Sequence, residues 1–101
     1  MMLNIEKKTD GTSLAIALEG RLDTISAPVL DEELRSSLDG VTELVLDFEK
    51  LDYISSAGLR VLLAAQKTMT KQGGEMKVTC VNETIMEIFE VTGFNEILTI
   101  A

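Results

Sequence analysis

A chain of 101 residues with 46% hydrophobic side chains can build one core, and residues 1–101 are read as a single domain. Its 17 acidic and 9 basic side chains give a formal net charge of −8, which opposes nucleic-acid phosphates and anionic membranes, and three Phe, one Tyr and no Trp offer little for base stacking. Cys80 is the only cysteine, so no internal disulfide can form, and without histidine there is no Ser-His-Asp triad and no imidazole metal site.

In chain order, Leu3 and Ile5 alternate with polar residues as in an edge strand. Asp10-Gly11 marks a hairpin, read as type I′ because that turn needs the positive φ glycine supplies. Leu14 to Leu18 is apolar throughout, with large residues on one face and Ala15 and Ala17 on the other, which predicts a strand covered on both sides. Gly20 to Thr24 ends it. A helix follows, with Ser26 as N-cap, Pro28 in its first turn and Asp31, Glu32 and Glu33 toward the positive end of its dipole. Ala27, Leu30, Leu34 and Leu38 form its inward stripe and Gly40 closes it.

Leu44 to Phe48 predicts a central strand. A second helix begins near Ser55 or Ser56 and runs to about Gln72, stopped by Gly73-Gly74; its first half is apolar nearly all round, so it is heavily buried or covered by a partner. Met76, Val78 and Cys80 alternate along a further strand, with Cys80 as a packed thiol. Asn82 caps a third helix with Ile85, Ile88 and Phe89 inward and Gly93 at its end, and Ile97 to Ile100 reads as a last strand. The order β-β-α-β-α-β-α-β predicts an α/β sandwich with helices against a mixed sheet.

No phosphate-binding loop or dinucleotide fingerprint occurs, so no catalytic residue, metal or cofactor is assigned. A nucleotide-hydrolysing enzyme is the competing class, testable by phosphate release. Residues 1–6 lack the segments of a signal peptide, and no apolar run approaches the roughly 18 residues of a membrane span, so direct membrane insertion is not expected and the cytoplasm is. The informative segment is Asp47 to Leu63, where Ser55-Ser56 lies between a central strand and a buried helix. Strand ends of open α/β sheets carry functional sites, and a helix N-terminus accommodates phosphate. A serine there can be an N-cap, a phosphoacceptor, or both at different times.

These residues carry a resemblance. Y-I-S-S-A-G-L-R-V-L-L at 53–63 resembles the signature of the STAS domain, named for sulphate transporters and anti-sigma factor antagonists. E-G-R-L-D-T-I-S-A-P at 19–28, G-G-E-M-K-V at 73–78 and I-F-E-V-T-G-F at 88–94 agree in order and spacing. The resemblance implies a single STAS domain over 1–101, with a mixed sheet of about five strands and three to four helices packed against it. It also implies a bacterial anti-sigma factor antagonist, a regulator of transcription and not an enzyme. The unphosphorylated form then binds an anti-sigma factor that is also a serine kinase and frees the sigma factor; phosphorylation of Ser56 ends binding, and a serine phosphatase restores it. Ser55, in place of the family's usual aspartate, is the less favoured acceptor. Asp23, Thr24, Ser55, Ser56, Ala57, Gly58 and Arg60 are the implied partner-binding residues. The chain is expected to be freestanding; the alternative within the family is a constitutive STAS subunit of a membrane transporter or larger signalling assembly.

Overall fold

Residues 3–101 are described by the computed structural model. Strands β1 (Asn4–Asp10) and β2 (Ser13–Leu22) lead into helix α1 (Ala27–Ser37), strand β3 (Glu43–Ile54) and helix α2 (Ser56–Lys71). Strand β4 (Glu75–Thr79), helices α3 (Glu83–Thr92) and α4 (Phe94–Ile97) and the short strand β5 (Thr99–Ile100) complete the chain. The five strands form one mixed sheet in sequential order, β1 antiparallel to β2 and every later neighbour parallel. Each parallel step is a strand–helix–strand crossover, and crossovers of one hand between successive strands bring their helices to the same face.

That face holds the core. Leu14, Ile16, Leu18 and Leu22 of β2, Leu44, Leu46, Phe48, Leu51 and Ile54 of β3, and Met76 and Val78 of β4 are buried beneath Leu30, Leu34, Leu62, Met69, Ile85 and Phe89 of the helices. The Phe48 and Phe89 rings, 6.3 Å apart at 47°, tie α3 to the sheet. Asn82 works at both ends: its carbonyl accepts from Ile85 N at 2.9 Å, capping α3, and its amide donates to Leu51 O at 2.9 Å.

The opposite face is open. Glu6, Lys8, Ala15, Glu19, Glu43, Lys50, Glu75 and Lys77 are exposed there, so β2 is covered on one side and not on both. Alanine is small enough to sit on either a covered or a bare face, and the Ala15–Ala17 alternation carried no information about which. The hairpin turn is also of the other primed type. Of its two central residues only Gly11 has positive φ (+62°), the requirement of type II′ and not type I′.

Three further expectations are corrected. Cys80 lies past β4, exposed and left-handed (φ +57°), because the chain must turn at once to reach the Asn82 cap. Ile97 ends α4, with Gly93 (φ +80°) both closing α3 and opening α4, so the last strand shrinks to Thr99–Ile100. No acidic residue falls in the first turn of α1; Asp31 to Glu33 lie beyond it. Among the described residues no helix is long and apolar enough to cross a membrane.

Candidate phosphoacceptor and docking site

β2 and β3 are parallel neighbours with Leu22 opposite Ile54, so the chain leaves both strands side by side at the same edge of the sheet. Two register shifts in this pairing, between Ala17 and Glu19 and between Gly20 and Arg21, give β3 one extra residue each. These bulges bend the strand and bring its end level with Leu22. Ser55 N donates to Leu22 O at 2.9 Å, which stitches the β2–α1 loop to the start of α2.

The loop is built on Asp23. Its Oδ1 accepts from Ile25 N and Ser26 N, both at 3.0 Å, and its carbonyl accepts from Ala27 N at 2.8 Å. Asp23 thus leads the chain into α1. Ser26 has the expected N-cap position, but its side chain makes no cap bond; it is 8% exposed. The Ser26 hydroxyl faces backward, its proton directed to Arg21 O at 2.7 Å with Asp23 Oδ1 as a second, longer acceptor at 3.1 Å, and its oxygen accepts from Asp23 N at 2.9 Å. The Ser26 N–H holds the Asp23 carboxyl below its usual pKa against desolvation, the next largest effect, with smaller help from the Ser26 hydroxyl, the Ile25 N–H and the Arg21 charge. Arg21 lies 3.7 Å from Asp23 Oδ2 and stacks 4.2 Å from the centre of the Tyr53 ring.

Ser55 and Ser56 divide the local roles. Ser55 is extended (φ −100°, ψ 175°) and is the N-cap of α2, its Oγ accepting from Gly58 N at 3.4 Å. Ser56 is the first helical residue, is exposed, and makes no side-chain hydrogen bond among the described residues. Ala57 is half-buried and packs on the core, while Arg60 is exposed one turn along the helix. Gly58 is buried. A Cβ there would stand 2.8 Å from Ile54 Cγ1, 2.8 Å from Leu22 Cγ and 3.0 Å from Leu22 O, so glycine lets α2 sit directly on the ends of β2 and β3. Its observed part in the site is to set this spacing.

Asp23, exposed Thr24, Ser55, Ser56 and Arg60 accordingly belong to one end of the sheet. Beside them are two residues the sequence reading passed over. Ile25 is 84% exposed and Val29 is 53% exposed, on the loop and first turn of α1. Both are off the Ala27–Leu30–Leu34 stripe, and an apolar residue off the helical period was the available signal. The two are exposed apolar residues in the segment that leads from Asp23 into α1.

The STAS domain family profile matches residues 4–101. The anti-sigma-B factor antagonist of Bacillus subtilis is 30% identical over 101 residues, covering 100% of this chain and 93% of its own length. BtrV of Bordetella bronchiseptica is 39% identical over 95 residues, 93% of this chain and 81% of its own. Among solved structures, the anti-sigma factor antagonist SpoIIAA in its unphosphorylated form shares the fold with a TM-score of 0.76, at 18% identity over 98% of this chain and 86% of that one. The phosphorylated form of SpoIIAA, a Bacillus cell fate determinant, gives 0.77 at 18% identity over 97% and 91%.

Proposed function

The chain belongs to the STAS domain family, matched from residue 4 to residue 101, and from that premise we propose that it is an anti-sigma factor antagonist switched by phosphorylation of Ser56. It is read as a single STAS domain acting in the cytoplasm by binding and not by catalysis. Unphosphorylated, it docks on an anti-sigma factor that is also a serine kinase, and sigma factor is released. The docking surface consists of Asp23, Thr24, the exposed edge of Ser55, Ser56, Ala57 and Arg60, with Ile25 and Val29 as its apolar margin.

One observation carries the reading: the cap of α2 is supplied by Ser55, leaving the adjacent Ser56 hydroxyl exposed and without a structural bond. Modifying Ser56 therefore costs the fold no capping interaction. Phosphate adds roughly −1.5 to −2 charge, and the N-terminal end of a helix tolerates it. At a desolvated interface the same charge is costly unless a cation meets it. A coupling of about 1–3 kcal/mol shifts affinity roughly 5- to 150-fold, enough to switch a complex without refolding. A serine phosphatase returns the binding form.

The test is binding to the cognate anti-sigma factor by calorimetry. Ser56→Ala should bind like the parent and resist phosphorylation, and Ser56→Asp should bind more weakly. Equal binding by parent, Ser56→Ala and Ser56→Asp would remove the switch and leave a STAS subunit that binds its partner constitutively.

A further inference from the structure

We infer that Arg60 is the intramolecular counter-ion of phosphorylated Ser56, closing across one turn of α2 and withdrawing a cation from the docking surface in the off state. This rests on the reading of Ser56 as phosphoacceptor and adds the device by which its phosphate is held.

Helix α2 has the sequence SAGLRVLLAAQKTMTK, which contains no acidic residue although the chain carries 17. Of the three arginines, Arg35 pairs with Asp31 at 2.8 Å and Arg21 is engaged by Asp23 and Tyr53. Arg60 is exposed and, among the described residues, has neither a hydrogen bond nor an ion pair. The positions three and four away on its helix are Ser56, Ala57, Leu63 and Ala64, none of them a counter-ion. Lys71 lies in the last turn, where the dipole favours a cation, and Arg60 in the second turn has no such compensation. Arg60 is thus an uncompensated positive charge one turn from an exposed serine hydroxyl.

The geometry favours that pair when Ser56 becomes anionic. Residues i and i+4 have Cβ atoms about 5–6 Å apart, and helical side chains lean toward the N-terminus, which carries Arg60 back over Ser56. An anion N-terminal to a cation at this spacing is the stronger order. A guanidinium also matches phosphate with two parallel N–H donors. In the unmodified protein the same side chain has no internal partner and is free to face an acidic group on the anti-sigma factor. Phosphorylation therefore adds roughly −1.5 to −2 charge, which the single charge of Arg60 offsets only in part, so the interface still meets net negative charge and loses Arg60 as well.

The experiment uses the full chain with phosphoserine installed at position 56 by genetic code expansion, so it does not depend on finding a kinase. Phosphorus NMR follows the second ionisation of the phosphate in the parent, in Arg60→Gln and in Arg60→Lys, at low and high salt. The parent should ionise about 0.2–0.4 pH unit lower than Arg60→Gln, a difference that high salt reduces. Arg60→Lys should fall between them, and Lys67→Ala, about three turns away, should match the parent. Equal ionisation in the parent and Arg60→Gln at low salt would overturn the inference. Failure of the phosphorylation reading is seen separately, as absence of phosphate from Ser56 in cells.

Discussion

Replacing Gly58 by alanine tests whether α2 rests directly on the strand ends, the contact that places the two serines. In an open helix interior this change stabilises by about 0.8–1.0 kcal/mol, because alanine is the better helix former. Here the new methyl would meet Ile54 Cγ1 and Leu22 Cγ at 2.8 Å and the Leu22 carbonyl oxygen at 3.0 Å. The side-chain carbons can turn away, but the oxygen is backbone and accepts the Ser55 N–H at 2.9 Å. Overpacking costs about 1–3 kcal/mol, and a backbone obstacle argues for the upper half of that range. The net expectation is a loss of about 1–2 kcal/mol, which lowers Tm by roughly 5–15 °C for a domain of this size. Urea and thermal unfolding followed by circular dichroism measure it. Ala64→Gly, on the exposed side of the same helix, supplies the propensity term alone and should lose about 1 kcal/mol. A Gly58→Ala protein as stable as the parent, or more so, would refute the close approach and the placement of the site built on it.

The two serines should separate by stability. Ser55→Ala should lose about 0.5 kcal/mol in urea unfolding, the low end for an N-cap because its bond is long at 3.4 Å, and Ser56→Ala should change stability less; the reverse order would mean that the cap is misassigned. The Asp23 carboxyl is held below its usual 3.8, so the stability from its ionised form is complete above the unfolded value of about 3.9 and is lost as pH falls through the folded one. The stability gap between the parent and Asp23→Asn should therefore narrow as pH drops below about 4, and an Asp23 that titrates at or above the ordinary value by carbon-detected NMR would contradict the loop geometry. Ile25→Ala should leave unfolding within about 0.5 kcal/mol of the parent, since the side chain is 84% exposed, while weakening anti-sigma factor binding about tenfold; unchanged affinity in calorimetry would take Ile25 out of the interface.

Most of the architecture was legible because its signals are local and repeated. The Asp10-Gly11 turn, the Ala27–Leu30–Leu34 stripe, the start of α2 near Ser55 or Ser56 and the Asn82 cap are written in a few residues each, and the folded chain keeps them. Features set by what lies across the sheet were not legible. Ala15 fits a covered or an open face equally, so the bare side of the sheet was hidden. β3 runs to Ile54, six residues past Phe48, because two bulges break the strict alternation that a strand reading follows. The alternation through Met76 and Val78 extends on paper to Cys80, but β4 ends at Thr79 and the thiol turns out.

For the candidate site, the Ser55-Ser56 pair pointed to its place at a strand end, and the folded chain brings Asp23 beside it through the Leu22–Ser55 bond. Sequence alone left the serine roles open, since either can cap a helix. Backbone geometry separates them: Ser55 is extended with its Oγ on Gly58 N, and Ser56 is already helical. The inward turn of Ser26 was likewise invisible, because a serine before Ala-Pro reads as a cap whichever way its hydroxyl points.

The central claim is that Ser56 carries the switch, and phosphopeptide mass spectrometry of the protein recovered from its native cells tests it most directly, with a Ser56→Ala strain as control. Phosphate on Ser56 that vanishes in the control is the predicted result. No phosphate at Ser56 across growth and stress conditions, or phosphate on Ser55 alone, would contradict it.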